Sequence, residues 1–168
     1  MTASPARRRW CLRRARALAG VAATAAAVLT PARTRAQLTA LRPLAFGTII
    51  PGTTTTVAAT DASAAAWRIH GVLGVSGGVT LTLPSVLTRA GGAESMPVSF
   101  CATCAVYHVN SATPVGGTPF DPNTGVQGFY VVVLSDVYVW LGGSVSPPPN
   151  QAPGSYVGTV VLTVSALL

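Results

Sequence analysis

Two cysteines three positions apart, in Cys101-Ala102-Thr103-Cys104, are the most chemically suggestive residues of this sequence. A CxxC can mean thiol redox chemistry, half of a zinc site, or a structural disulfide. Zinc requires four ligands, and the two histidines, His70 and His108, stand without paired spacing. Thioredoxin-type chemistry needs the motif at the start of a helix in a βαβ setting, a pattern absent around these residues. In an exported chain a structural Cys101–Cys104 disulfide is the expectation. Cysteines at i and i+3 of an extended strand lie ~10 Å apart, beyond the ~7 Å limit for bridging, so Ala102-Thr103 must turn. A loop this short gains at most about 2 kcal/mol from closure, which trims a loop tip and does not hold a fold together.

The remaining constellations are weaker. Gly74-Val75-Ser76-Gly77-Gly78 matches GxSxG, with Glu94 and His108 following in the order serine, acid, histidine. That elbow needs a helix after the serine, whereas a strand pattern follows here, so a glycine-rich turn is expected. Asp121-Pro122-Asn123-Thr124-Gly125 opens like a calcium loop, but its glycine comes one residue early and no closing glutamate follows. An Asx turn is the simpler expectation. Asp61, Glu94, Asp121 and Asp136 form no pair at readable spacing, which leaves glycosidase chemistry without support. His70 and His108 are expected to be solvated or hydrogen-bonded structural residues. The sequence therefore predicts a protein that is not an enzyme and carries no metal or cofactor.

Charge separates the chain into two parts. Its formal charge of +7 comes from 11 arginines, eight of them before residue 37. From Gln37 onward, three arginines (Arg42, Arg68, Arg89) face four acids, a net −1, and there is no lysine. Schiff-base and P-loop chemistry are thereby excluded, and nucleic-acid binding loses its electrostatic footprint. Arg7, Arg8, Arg9, Arg13, Arg14 and Arg16 precede an uncharged run from Leu18 to Thr30, and a polar stretch ends in Thr34-Arg35-Ala36. This is the layout of a helical, cleavable secretory signal over residues 1–36, with cleavage between Ala36 and Gln37. Ala32 offers a second cleavage point. The run of about 13 residues gives ~20 Å of helix, short of a ~30 Å hydrocarbon core, so no permanent membrane anchor is expected. Arg8-Arg9 loosely matches a twin-arginine signal, and Sec and Tat export both stay open.

Residues 37–168 are the size of one domain with a single core. Period-two alternation recurs through them. Val79, Leu81 and Leu83 should face the core, with Thr80 and Thr82 outward. Val137, Val139 and Leu141 alternate with Tyr138 and Trp140 until Gly142-Gly143. Val160, Leu162 and Val164 alternate with Val161, Thr163 and Ser165. Trp67 and Ile69 flank Arg68, and Tyr130–Leu134 reads as a strand covered on both faces. Turn signals between these runs predict an all-β, antiparallel immunoglobulin-like β-sandwich of about seven to nine short strands. The segment Tyr156–Val164 reads as one core strand.

Several of these residues are recognisable together. Leu44-Ala45-Phe46-Gly47-Thr48-Ile49, then Val79–Pro84, Leu141-Gly142-Gly143 and finally Gln151–Val160 recur in an order and spacing that resembles the bacterial secreted domain of unknown function 4402 family. More distantly, the chain is similar to spore coat protein U and fimbrial subunit domains. The resemblance spans about Leu41 to Val164. It implies an exported sandwich of Gram-negative surface structures, with no catalytic residues to carry over. Two features depart from the pattern: only Gln37–Pro43 precedes the first motif, and Ser165–Leu168 lacks an aromatic residue.

The expected function is an exported, non-catalytic structural or adhesive surface module, pilin-like or coat-like, located in the periplasm, on the outer surface or secreted. Its expected partners are copies of itself or other surface subunits, joined by strand addition at an assembly edge containing Tyr156, Val160, Leu162 and Val164. The alternative is a free periplasmic module that binds a small molecule or glycan, with Trp67, Tyr107, Tyr130, Tyr138 and Trp140 as stacking surfaces.

Overall fold

The computed structural model describes residues 37–70, 76–130 and 135–167. These residues form an all-β, sandwich-like fold in which every strand pairing is antiparallel, and there is no helix among them. The expected signal peptide, Ala36 included, lies outside the described residues.

One five-stranded sheet runs in the order β1 (Gln37–Arg42), β3 (Ala65–His70), β10 (Asp136–Leu141), β7 (Ala105–Val109), β8 (Thr118–Phe120). A second has the order β12 (Tyr156–Val157), β5 (Val86–Arg89), β6 (Ser95–Ser99), β11 (Gly143–Val145), β2 (Thr55–Val57). A three-stranded sheet joins β13 (Val161–Leu167), β4 (Ser76–Thr82) and β9 (Val126–Tyr130).

Alternation decides which side chains are buried. Val137, Val139 and Leu141 of β10 are fully buried, and they pack with Ile69, Ala105 and Phe120 of the same sheet. Facing them from the three-stranded sheet are Val79, Leu81 and Leu162, with Val126 and Val164 of that sheet, and Val160 just before β13, at the margin. Two inner faces meeting through period-two side chains is the packing rule of a sandwich. Thr80, Thr82, Thr163 and Ser165 point outward as expected. On the opposite face of β10, Trp140 is also buried, in a small cluster with Ala59, Ala66 and Val106. The loop that covers it is knotted by Asp61, whose carboxylate accepts from Ala58 N at 2.8 Å. Arg42 fastens the same loop from β1, its Nε donating to Ala64 O at 2.8 Å.

Two sequence expectations need correction. Thirteen strands occur among the described residues, not seven to nine. Four of the extra ones, β2, β8, β11 and β12, are two or three residues long, too short for alternation to show. β10 does end at Leu141, directly before Gly142-Gly143 as expected, and that pair carries the chain into β11 of another sheet. Gly142 N donates to Cys104 O at 2.8 Å, and a Cβ at Gly142 would strike the carbonyl oxygen of Val57. Only glycine fits that crossing. Finally, Tyr156–Val164 is not one strand: β12 pairs with β5, and β13 pairs with β4 in a different sheet. Of the apolar run Tyr130–Leu134, Tyr130 closes β9 and the rest lies outside the described residues.

Candidate functional site

An open cleft of about 1090 Å³ lies where the second sheet meets the segments that flank it. Its walls come from the two ends of the described chain. Leu44, Phe46 and Ile49 follow β1, and Gln151–Val160 leads into β13. Its floor is Leu87, Met96, Val98 and Phe100, with Trp67 and Ala65 at the inner end. The stretches Leu44–Ile49 and Gln151–Val160, more than a hundred residues apart in sequence, thus face one space.

Local chemistry shapes both walls. Ala45 N donates to Ser63 O at 2.9 Å, and Gly47 takes φ +70°, a bend after Phe46 that glycine adopts without steric cost. Phe46 and Ile49 then pack on the buried trio Met96, Val98 and Val145. On the other wall Tyr156 packs against the same cluster, and its hydroxyl donates to Ala152 O at 2.8 Å. Gln151 Nε2 donates to that hydroxyl, while Gln151 Oε1 is buried without a hydrogen-bond partner. Gly158 explains the break between β12 and β13: its Cβ would stand 2.7 Å from Leu87 Cδ2 and 3.3 Å from Pro84 Cγ. The crowding that glycine relieves comes from β5 and its approach.

The lining is mainly aliphatic and aromatic. Its charged member, Arg42, is engaged with the Ala64 carbonyl. Such a surface can hold extended apolar chain or the apolar part of a ligand.

The other predicted residues are placed as follows. Cys101 and Cys104 form the disulfide, with Cα atoms 5.0 Å apart and Cys104 N donating to Cys101 O across the Ala102-Thr103 turn. Asp121 forms the Asx turn, accepting from Asn123 N at 2.9 Å through Oδ1. Ser76 of the GxSxG match begins β4, and Gly74 and Val75 lie outside the described residues. His108 Nδ1 lies 3.0 Å from Val109 O. No group of three or more His, Cys, Asp and Glu residues suited to a metal occurs among the described residues. No helix among them is long and apolar enough to cross a membrane. Tyr107 packs edge-on to Phe120 and Tyr138 stacks on Trp140, with ring centroids 6.1 Å and 5.9 Å apart. Those rings serve packing first. Among Trp67, Tyr107, Tyr138 and Trp140, only Trp67 lines the cleft.

A polar cluster invisible in the sequence joins β3 to β10. Asp136 sits between Arg68, whose Nη2 is 2.9 Å from Oδ2, and His70, whose Nδ1 is 2.5 Å from Oδ1. Hydrogen bonding to His70, and then to Arg68, holds the Asp136 carboxyl below its ordinary range. The antiparallel register that sets Asp136 opposite His70 brings these residues together across 66 positions.

No protein-family model matches the chain, and no curated protein matches it.

Proposed function

We propose that this protein is an exported, non-catalytic structural or adhesive module of a bacterial surface assembly, an immunoglobulin-like sandwich of the kind found in the domain of unknown function 4402 family and in fimbrial subunits. One observation carries this most: Leu44–Ile49 and Gln151–Val160, two of the stretches that mark the resemblance, line a single apolar cleft whose last lining residue, Val160, directly precedes the edge strand β13. An open apolar cleft beside unpaired backbone suits attachment to another protein chain. Export is supported by the arginine-rich N-terminus and its apolar run, and cleavage before Gln37 would leave all of β1 in the mature chain. The disulfide fits an oxidising compartment.

The test is fractionation. Cells producing the protein are sheared, and the surface, periplasmic and cytoplasmic fractions are probed for the chain and for its mass in solution. Recovery from the surface in assemblies larger than one chain is expected. A soluble monomer that binds glycans would support the periplasmic binding module instead, and a chain retained whole in the cytoplasm would end both.

A further inference from the structure

We infer that the occupant of the β13 edge is the β13 edge of a second copy, paired antiparallel about a two-fold axis through Val164. The inference deepens the proposed assembly role and rests on its premise that this face joins protein chains. It names a partner and a register that the role alone leaves open.

Six strands lie at sheet edges among the described residues, and five of them are blunted. β1 loses register between Ala40 and Arg42 and carries the charge of Arg42. β8 contains Pro119, and β2 is three residues long. β12 has two residues, and β9 shifts register opposite Gly77 and Gly78 and contains Gly128 at φ +76°. Proline, bulges, charge and shortness are the usual protections of an edge. β13 has none of them. It is seven residues long, its sequence VLTVSAL lacks charge, proline and glycine, and it pairs with β4 in unbroken register from Val161 to Leu167.

Symmetry selects the geometry. A copy rotated about an axis along the strand would turn its core face to the solvent side of the joint sheet. A copy rotated about an axis through the sheet keeps both core faces on one side, and the strands then run antiparallel. With the axis at Val164, Val164 meets itself, Leu162 opposes Ala166, and Thr163 opposes Ser165 of the second copy. The Thr163–Ser165 match occurs twice. Both residues are exposed, and hydroxyl pairs of this kind stabilise antiparallel neighbours. Val161, 48% exposed, lies at the rim of the same contact. The two three-stranded sheets would become one continuous sheet, with no strand entering the cleft.

The register is tested with charge pairs in the full chain. Thr163→Lys/Ser165→Lys sets lysine against lysine twice across the axis, and Thr163→Glu/Ser165→Glu sets glutamate against glutamate. Light scattering should give twice the chain mass for the native protein and the single mass for each variant alone. An equimolar mixture of the two variants should regain the doubled mass, because each lysine then meets a glutamate. Circular dichroism should match the native protein, since all four changes are at exposed positions, while the melting temperature of each variant alone should fall modestly with the lost association and recover in the mixture. A native protein that stays at single mass at high concentration overturns the inference. So does a doubled mass that survives in each variant, or a mixture that does not re-associate. Surface recovery of the lysine variant separates the two ideas: if native and variant are both monomeric yet reach the sheared surface fraction, the assembly role stands and this pairing falls.

Discussion

The molecule has two apolar regions built from the same residue types, one closed and one open. Between the first sheet and the three-stranded sheet, Val79, Val137, Val139 and Leu141 have no exposed surface. In the second sheet Met96, Val98 and Val145 are buried too, but what covers them is Phe46, Ile49, Leu87 and Tyr156, all only partly buried. The closed core is strand against strand, so each side chain meets a matching inner face. The open region is strand against irregular chain, held by single hydrogen bonds such as Ala45 N to Ser63 O and Tyr156 to Ala152 O. Close packing fixes the first, and the second has the looser cover that a binding surface needs.

The largest effect that separates the regions is a pair of truncations. Leu141→Ala empties space in the closed core and should cost about 2–5 kcal/mol, whereas Ile49→Ala removes half-exposed cover and should cost less than about 2 kcal/mol. Urea melts of both variants measure the difference. Equal costs would mean that the two regions are packed alike.

A smaller effect comes from the turn beside the core. Replacing Cys101 and Cys104 together by serine should cost at most about 2 kcal/mol and leave the fold, read by circular dichroism, unchanged. Alkylation without prior reduction should leave both thiols of the exported protein unlabelled. Global unfolding of the serine variant would give the turn a structural role that its length does not support.

The smallest effect is electrostatic and belongs to the outer surface of the first sheet. Because the folded Asp136 carboxyl is held below its unfolded value, chiefly by His70, its contribution is present above the ordinary carboxylate range and disappears as pH falls through the folded value. Asp136→Asn should therefore melt below the native protein at neutral pH, and the gap should close under strong acid. The gap should also narrow with added salt, since the pair is partly exposed. A gap that persists unchanged into strong acid would assign Asp136 a packing role instead.

The sequence made the closed core readable and the open region hard to see. Val137, Val139, Leu141, Val79 and Leu162 obey alternation because each must reach an inner face. β1 was missed because Gln37–Arg42 lies at an edge where all but the last residue is exposed, so burial imposes no pattern on it. The division of Tyr156–Val164 into β12 and β13 has its cause at Gly158, where Leu87 and Pro84 approach; in the sequence that contact is only a glycine between valine and threonine. The Asp136 cluster depends on the register of β3 and β10, which local sequence does not encode. The disulfide turn and the Asx turn were legible because their geometry is complete within a few residues.

Hydrogen exchange read by mass spectrometry tests most directly whether the cleft and β13 side is where this protein meets its neighbours. The protein recovered from surface assemblies is compared with the isolated chain. Leu44–Ile49, Gln151–Val160 and Val161–Leu167 should slow in the assembly, while β3, β7 and β10 should be slow in both. Protection appearing instead on the His70–Asp136 face, or no difference at the cleft and β13, would contradict it.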